Sequence, residues 1–236
     1  MKILNLLAIL AMAALGACKA DPKKNEERPV DPAATASEVP KERTVPQRVA
    51  DAHGFQHWQR VRELRFTFNA DREDMHFERS WIWEPVTDRV TAISGSDTLV
   101  YERGNMDSTA YKRNSGFIND RYWLLAPFNL VWDAKGYEYG HSTGQVAPIS
   151  GEPMQKLTIV YKDQGGYTPG DAYDFYFGDD HIIREWVYRK SNQERPSLIS
   201  TWEDYVDVEG LKLARKHQRE EGTPGPYFSG IAVKGE

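Results

Sequence analysis

From about residue 61 onward, large apolar side chains recur at every second position in short runs, the period of a strand that turns one face to a core. Leu64, Phe66 and Phe68 alternate with Arg65 and Thr67, and Phe77, Trp81 and Trp83 share a parity broken by Arg79. Further strands are expected over Arg89 to Ile93 and Thr98 to Arg103. The turn-forming stretches Asn69 to Asp74 and Ser94 to Asp97 are short enough for hairpins, whereas parallel neighbours would need crossovers of about a dozen residues. The sheet is therefore expected to be antiparallel. A second run covers Lys156 to Lys162, Asp171 to Phe177, Ile182 to Lys190, Leu198 to Val208 and Leu211 to Glu220, with Phe228 to Lys234 as a terminal strand. Turns at Gly165-Gly166, Gly178-Asp179-Asp180 and Glu209-Gly210 divide this run.

Three segments depart from the two-residue period. Gln47 to Leu64 places Val49, His53, His57 and Val61 at helical spacing and predicts an amphipathic helix leading into the first strand. Phe117 to Asp133 is rich in large apolar residues but contains Pro127, which predicts a short helix and loop covering the sheet. Tyr137 to Pro153, with its glycines and His141, reads as an irregular excursion. Several strands carry bulky groups at both parities, as in Trp81-Ile82-Trp83 and Trp186-Val187-Tyr188, so both faces are expected to be partly covered. A strongly curved sheet with helices inside the curve meets that demand. The expected fold is mainly β, of α+β type, in one domain spanning residues 47–236.

The amino terminus follows a different logic. A basic Met1-Lys2 start and an apolar run from Ile3 to Leu15, too short to span a bilayer, read as a secretory signal over residues 1–17. The run closes on Leu15-Gly16-Ala17-Cys18, which resembles the lipobox of bacterial lipoproteins. That resemblance implies diacylglycerol on the Cys18 thiol, removal of the preceding residues, and anchoring of the new terminus in the membrane. With Lys19 rather than Asp after the cysteine, it also implies the outer membrane. Stable attachment follows from two or more acyl chains, each buried methylene contributing about 0.8 kcal/mol.

Residues 18–46 then form a spacer. After Cys18 it carries five prolines and no aromatic residue, and cannot bury enough apolar surface to offset its ordering entropy. If flexible, it reaches on the order of 30 Å. Cys18 is the only cysteine in the 236 residues, so the domain must hold together without a disulfide. A formal net charge of −5 gives no reason to expect nucleic acid.

The pair His53-Gly54 followed by Trp58, the stretch from Tyr122 to Leu130, and Gly170-Asp171-Ala172-Tyr173 resemble elements of uncharacterised bacterial lipoproteins in the wider superfamily of lipoprotein-localisation (Lol) carriers and acceptors. The resemblance implies an unclosed antiparallel barrel of about ten or eleven strands, with helices on its concave side and an apolar cavity for acyl chains. The lipobox and spacer match the membrane-anchored acceptors of that superfamily better than its soluble shuttle.

An acyl chain of about sixteen carbons gains on the order of 10 kcal/mol when removed from water, so such a cavity needs shape and apolarity more than polar chemistry. Candidate lining residues are Phe66, Phe68, Trp81, Trp83, Trp123, Leu125, Phe128, Phe175 and Trp186. Arg79 either orients an ester or phosphate or pairs with a carboxylate across the sheet, the pair being the simpler expectation. The expected ligand is a lipid, an acyl chain or a lipidated protein, bound by a monomer without cofactor.

Catalysis is not expected. Gly-x-Ser-x-Gly, Walker-type and His-Glu-x-x-His patterns are missing, and the one thiol is assigned to lipidation. His53 and His57 at helical spacing could share a metal, but no third ligand is legible. Asp179-Asp180 and Glu203-Asp204 are carboxylate neighbours, and strand geometry would turn Glu203 and Asp204 to opposite faces. The competing reading is an envelope interaction module with a filled core, which recognises partners through exposed strand edges.

Overall fold

The computed structural model describes residues 42–163 and 168–236. The signal segment, Cys18, most of the spacer and the Gly165-Gly166 turn lie outside the described residues. Glu42–Glu236 form one compact unit.

The first helix, α1 (Val45–Ala52), starts at a reciprocal cap: Thr44 Oγ1 accepts from the Gln47 amide, and Gln47 Oε1 accepts from the Thr44 amide at 2.9 Å. Val45 and Pro46, which composition placed in the spacer, are buried in its first turn. The helix ends at His53, because Gly54 turns to φ 90° and a 3-10 segment, Phe55–Arg60, follows. Val61 already belongs to the first strand, so the expected helix over Gln47 to Leu64 is shorter and earlier.

Among the described residues twelve strands follow, divided into two antiparallel sheets that do not close into a barrel. The larger sheet contains β1 (Val61–Arg72), β2 (Met75–Glu84), β3 (Arg89–Ser94) and β4 (Asp97–Glu102), joined by hairpins as the turn residues require. The smaller contains β5 (Tyr137–Val146), β6 (Pro153–Tyr161), β7 (Ala172–Phe177), β8 (Ile183–Arg189) and β9 (Leu198–Thr201). The chain then returns to the larger sheet through β10 (Glu203–Val208), β11 (Leu211–Gln218) and β12 (Pro224–Gly235). Its strand order is β10-β11-β12-β1-β2-β3-β4, so the last strand pairs with the first.

Three expectations need correction. The strand expected over Leu198 to Val208 is two strands of different sheets, broken at buried Trp202, after which Asp204 takes φ 55°. The excursion at Tyr137 to Pro153 is largely β5, an edge strand whose pairing slips between Ser142 and Gln145. The short helix at Phe117 to Asp133 is part of α2 (Ser108–Trp132), 25 residues long and capped by Asp107, whose carboxylate accepts from the Ala110 amide at 2.7 Å. Pro127 kinks this helix rather than ending it, and Leu125 leaves helical geometry at φ −119°, ψ 19°.

The helix α2 supplies both cores. Phe117, Leu124 and Phe128 pack with Leu64, Phe66, Trp81, Trp83 and Val90 of the larger sheet. Ala126 and Leu130 pack with Leu157, Ile159, Phe175, Trp186 and Trp202 on the smaller-sheet side. A helix buried on several sides loses the one-sided periodicity of a surface helix. The sheets meet where Ser200 of β9 bridges Arg219, just past the end of β11.

Candidate functional site

The core face of β1 and β2 extends further than the helix that covers it. On β2, Trp83 and Trp81 lie under α2, but the same face continues through Arg79, Phe77 and Met75. Opposite them on β1, Phe68 pairs with Arg79, Ala70 with Phe77 and Arg72 with Met75. Phe77 is 46% exposed and Met75 71%, although their parity is that of the core. Trp123 and Asn119 of α2 form one side of the resulting groove, and Pro224 to Pro226 with Arg219 the other. Its volume is about 1060 Å³.

Arg79 sits in this groove as its most constrained charged group. Its Nε and Nη2 donate to Oδ2 and Oδ1 of Asp120 at 2.9 and 2.6 Å, and the guanidinium lies 5.6 and 4.8 Å from the ring centres of Phe68 and Phe77. The carboxylate partner therefore comes from the helix, not from across the sheet. Asp120 is fully buried and also accepts from Trp81 Nε1 at 2.8 Å. Burial raises its pKa, and the bonds from Arg79, Asn119 and Trp81 oppose that rise.

A second recess of about 330 Å³ lies between α2 and the smaller sheet, lined by Tyr122, Tyr161, Tyr173, Tyr188, Trp123 and Trp186 among others. It shares Asn119 and Trp123 with the groove. Tyr161 donates to Asp133 at 3.1 Å and Tyr188 to Asp171 at 2.8 Å. Burial raises all four phenols, Tyr188 to about 12, so they act here as neutral hydrogen-bonding groups.

The residues proposed from sequence divide accordingly. Phe68, Arg79 and Trp123 line the groove, and Trp123 and Trp186 line the tyrosine recess. Phe66, Trp81, Trp83, Leu125 and Phe128 belong to the larger-sheet core, and Phe175 to the other. Sequence reasoning did not propose Met75, Phe77 or Asn119 as lining residues. The parity shared with Trp81 and Trp83 was the available signal for Phe77 and Met75.

The histidine pair does not share a helix face. His53 caps α1, is buried, and its Nδ1 donates to the Val49 carbonyl at 2.8 Å, while His57 lies on the 3-10 segment against Gly210. No group of three or more His, Cys, Asp or Glu side chains suited to a metal occurs among the described residues. Asp180 pairs with Arg184, and Asp204 with Arg215. No helix among the described residues is long and apolar enough to cross a membrane.

No family model matches the chain, and no curated protein matches it. Among solved structures it is similar to a DUF1329 family protein from Desulfovibrio piger, at 9% identity and a TM-score of 0.44, over 79% of this chain and 92% of that one. It is also similar to a LolA superfamily protein from Nitrosomonas europaea, at 10% identity and a TM-score of 0.46, over 82% of this chain and 96% of that one.

Proposed function

We propose that this protein is a non-catalytic binder of an apolar or lipidated ligand, held to the bacterial outer membrane by acyl chains on Cys18. The ligand occupies the groove formed by β1, β2, α2 and the start of β12. One observation carries this reading: the row of core-facing side chains on β2 continues past the helix and leaves Phe77 and Met75 exposed beside a groove of about 1060 Å³. The apolar side chains that face α2 from each sheet are buried in packed clusters, so this reading puts the ligand beside them rather than among them. Covering apolar surface contributes roughly 25 cal/mol per Å², and no polar group need be matched along an acyl chain.

The anchor and the spacer complete this reading. The lipobox-like Leu15-Gly16-Ala17-Cys18 supports lipidation, and the proline-bearing segment after it gives the domain room to work clear of the bilayer. The exposed edge strand β5, where Tyr139 is 49% and Val146 69% exposed, supports the second reading, an envelope interaction module.

The two readings separate in one experiment. Purified Cys18→Ser protein, which lacks an acyl group of its own, is examined by native mass spectrometry and titrated with a brominated fatty acid while tryptophan fluorescence is followed. Retained acyl ligand, quenching, and loss of both in Phe77→Ser support the groove. An empty protein that does not quench, yet captures an envelope protein through the β5 edge, overturns it in favour of the module.

A further inference from the structure

The groove is largely apolar, but a guanidinium is set into it. Arg79 carries five N–H donors, and Asp120 takes the fork made by Nε and Nη2. The other fork, made by Nη1 and the second Nη2 proton, meets no acceptor among the described residues. The Arg79 side chain remains 24% exposed, while its partner Asp120 is fully buried. The rings of Phe68 and Phe77 hold the guanidinium. Gly116 lets α2 lie close, because a Cβ there would stand 2.9 Å from Nη1. One fork is thus spent on the protein, and the guanidinium is held in place with the other unused.

Building on the groove as the binding site, we infer that its ligand is a long-chain carboxylate. The head takes the unused fork of Arg79, and the chain runs along Phe68, Met75, Phe77 and Trp123. A planar carboxylate matches that fork with two charge-assisted bonds, which an ester cannot reproduce without the charge. The charge of the groove selects among anions. Arg72 and Arg219 line it against Asp71 and Glu73, and Arg79 is already offset by Asp120, so the groove holds no net positive charge to match a dianion. That suits a monoanion better than a phosphate monoester, which carries roughly −1.5 to −2 at neutral pH.

The test uses three ligands of equal chain length, laurate, methyl laurate and dodecyl phosphate, titrated into Cys18→Ser protein with tryptophan fluorescence as the readout. Laurate is expected to bind at least about tenfold more tightly than methyl laurate, a difference of about 1.4 kcal/mol. It is also expected to bind more tightly than dodecyl phosphate. Arg79→Lys keeps a positive charge for Asp120 but offers no second fork. It is expected to shrink the acid-over-ester preference to about twofold, with its melting curve confirming the fold.

Equal binding of acid and ester overturns the inference and leaves the groove reading standing. Tighter binding of dodecyl phosphate overturns the carboxylate assignment, and an undiminished preference in a folded Arg79→Lys protein overturns the role of Arg79. If none of the three ligands binds, the groove reading fails and this inference fails with it.

Discussion

Arg79 on β2 and Asp120 on α2 are joined by two hydrogen bonds, Nε to Oδ2 at 2.9 Å and Nη2 to Oδ1 at 2.6 Å, with the carboxylate fully buried and the arginine partly open to the groove. The pair ties the larger sheet to the middle of the helix at the point where helix cover ends. A third bond, from Trp81 Nε1, makes Asp120 a polar anchor inside an otherwise aromatic layer.

Removing Asp120 takes the acceptor from three side chains at once, Arg79, Trp81 and Asn119. Asp120→Ala is expected to destabilise the protein by about 3 kcal/mol, because breaking a buried pair leaves its partner uncompensated. Asp120→Asn, which keeps an acceptor for Trp81, is expected to cost less. Urea unfolding measures both, and equal stability of Asp120→Ala and the parent would contradict the anchoring role.

Gly54 is fixed by two constraints. Its φ of 90° disfavours a side chain, and a Cβ would stand 1.9 Å from the Gly210 carbonyl oxygen. Gly54→Ala is therefore expected to lower the melting temperature far more than Gly95→Ala, where φ is also positive but nothing lies within 4 Å. Similar losses at the two positions would show that backbone strain alone matters.

Two buried histidines make stability depend on pH. Burial lowers His53 from 6.5 to about 4 and His217 from 6.5 to about 3. Below about 6.5 the unfolded chain takes up protons that the folded chain refuses, so stability falls as the pH drops from about 6.5 towards 4. His53 alone contributes on the order of 3 kcal/mol across that window. Urea midpoints measured from pH 7.5 to 4.5 should decline, with a shallower slope in His217→Phe; a flat profile would refute the assignment.

Lipidation of Cys18 is tested in the cell. Cys18→Ser is expected to abolish radiolabelled palmitate incorporation and to leave an unprocessed chain, and globomycin is expected to arrest processing of the parent protein. Unaltered processing and outer-membrane fractionation under both treatments would exclude the proposed anchor.

The sequence alone determined the antiparallel strands, most hairpin turns and the aromatic identity of the core, because a strand's two-residue period and a turn's backbone needs are written into neighbouring residues. Leu64, Phe66 and Phe68 face inward as their alternation requires. Tertiary structure decided what local pattern cannot express. Helix α2 hides its length because residues on several of its sides are buried, so Phe117 to Asp133 shows no single apolar stripe. Leu198 to Val208 reads as one strand, yet Trp202 divides it between two sheets. Arg79 finds its carboxylate 41 residues away on the helix, and Phe77 stays exposed on a core-facing parity. Both outcomes depend on where α2 stops covering the sheet, a boundary set by packing between distant segments and carried by no short stretch of sequence.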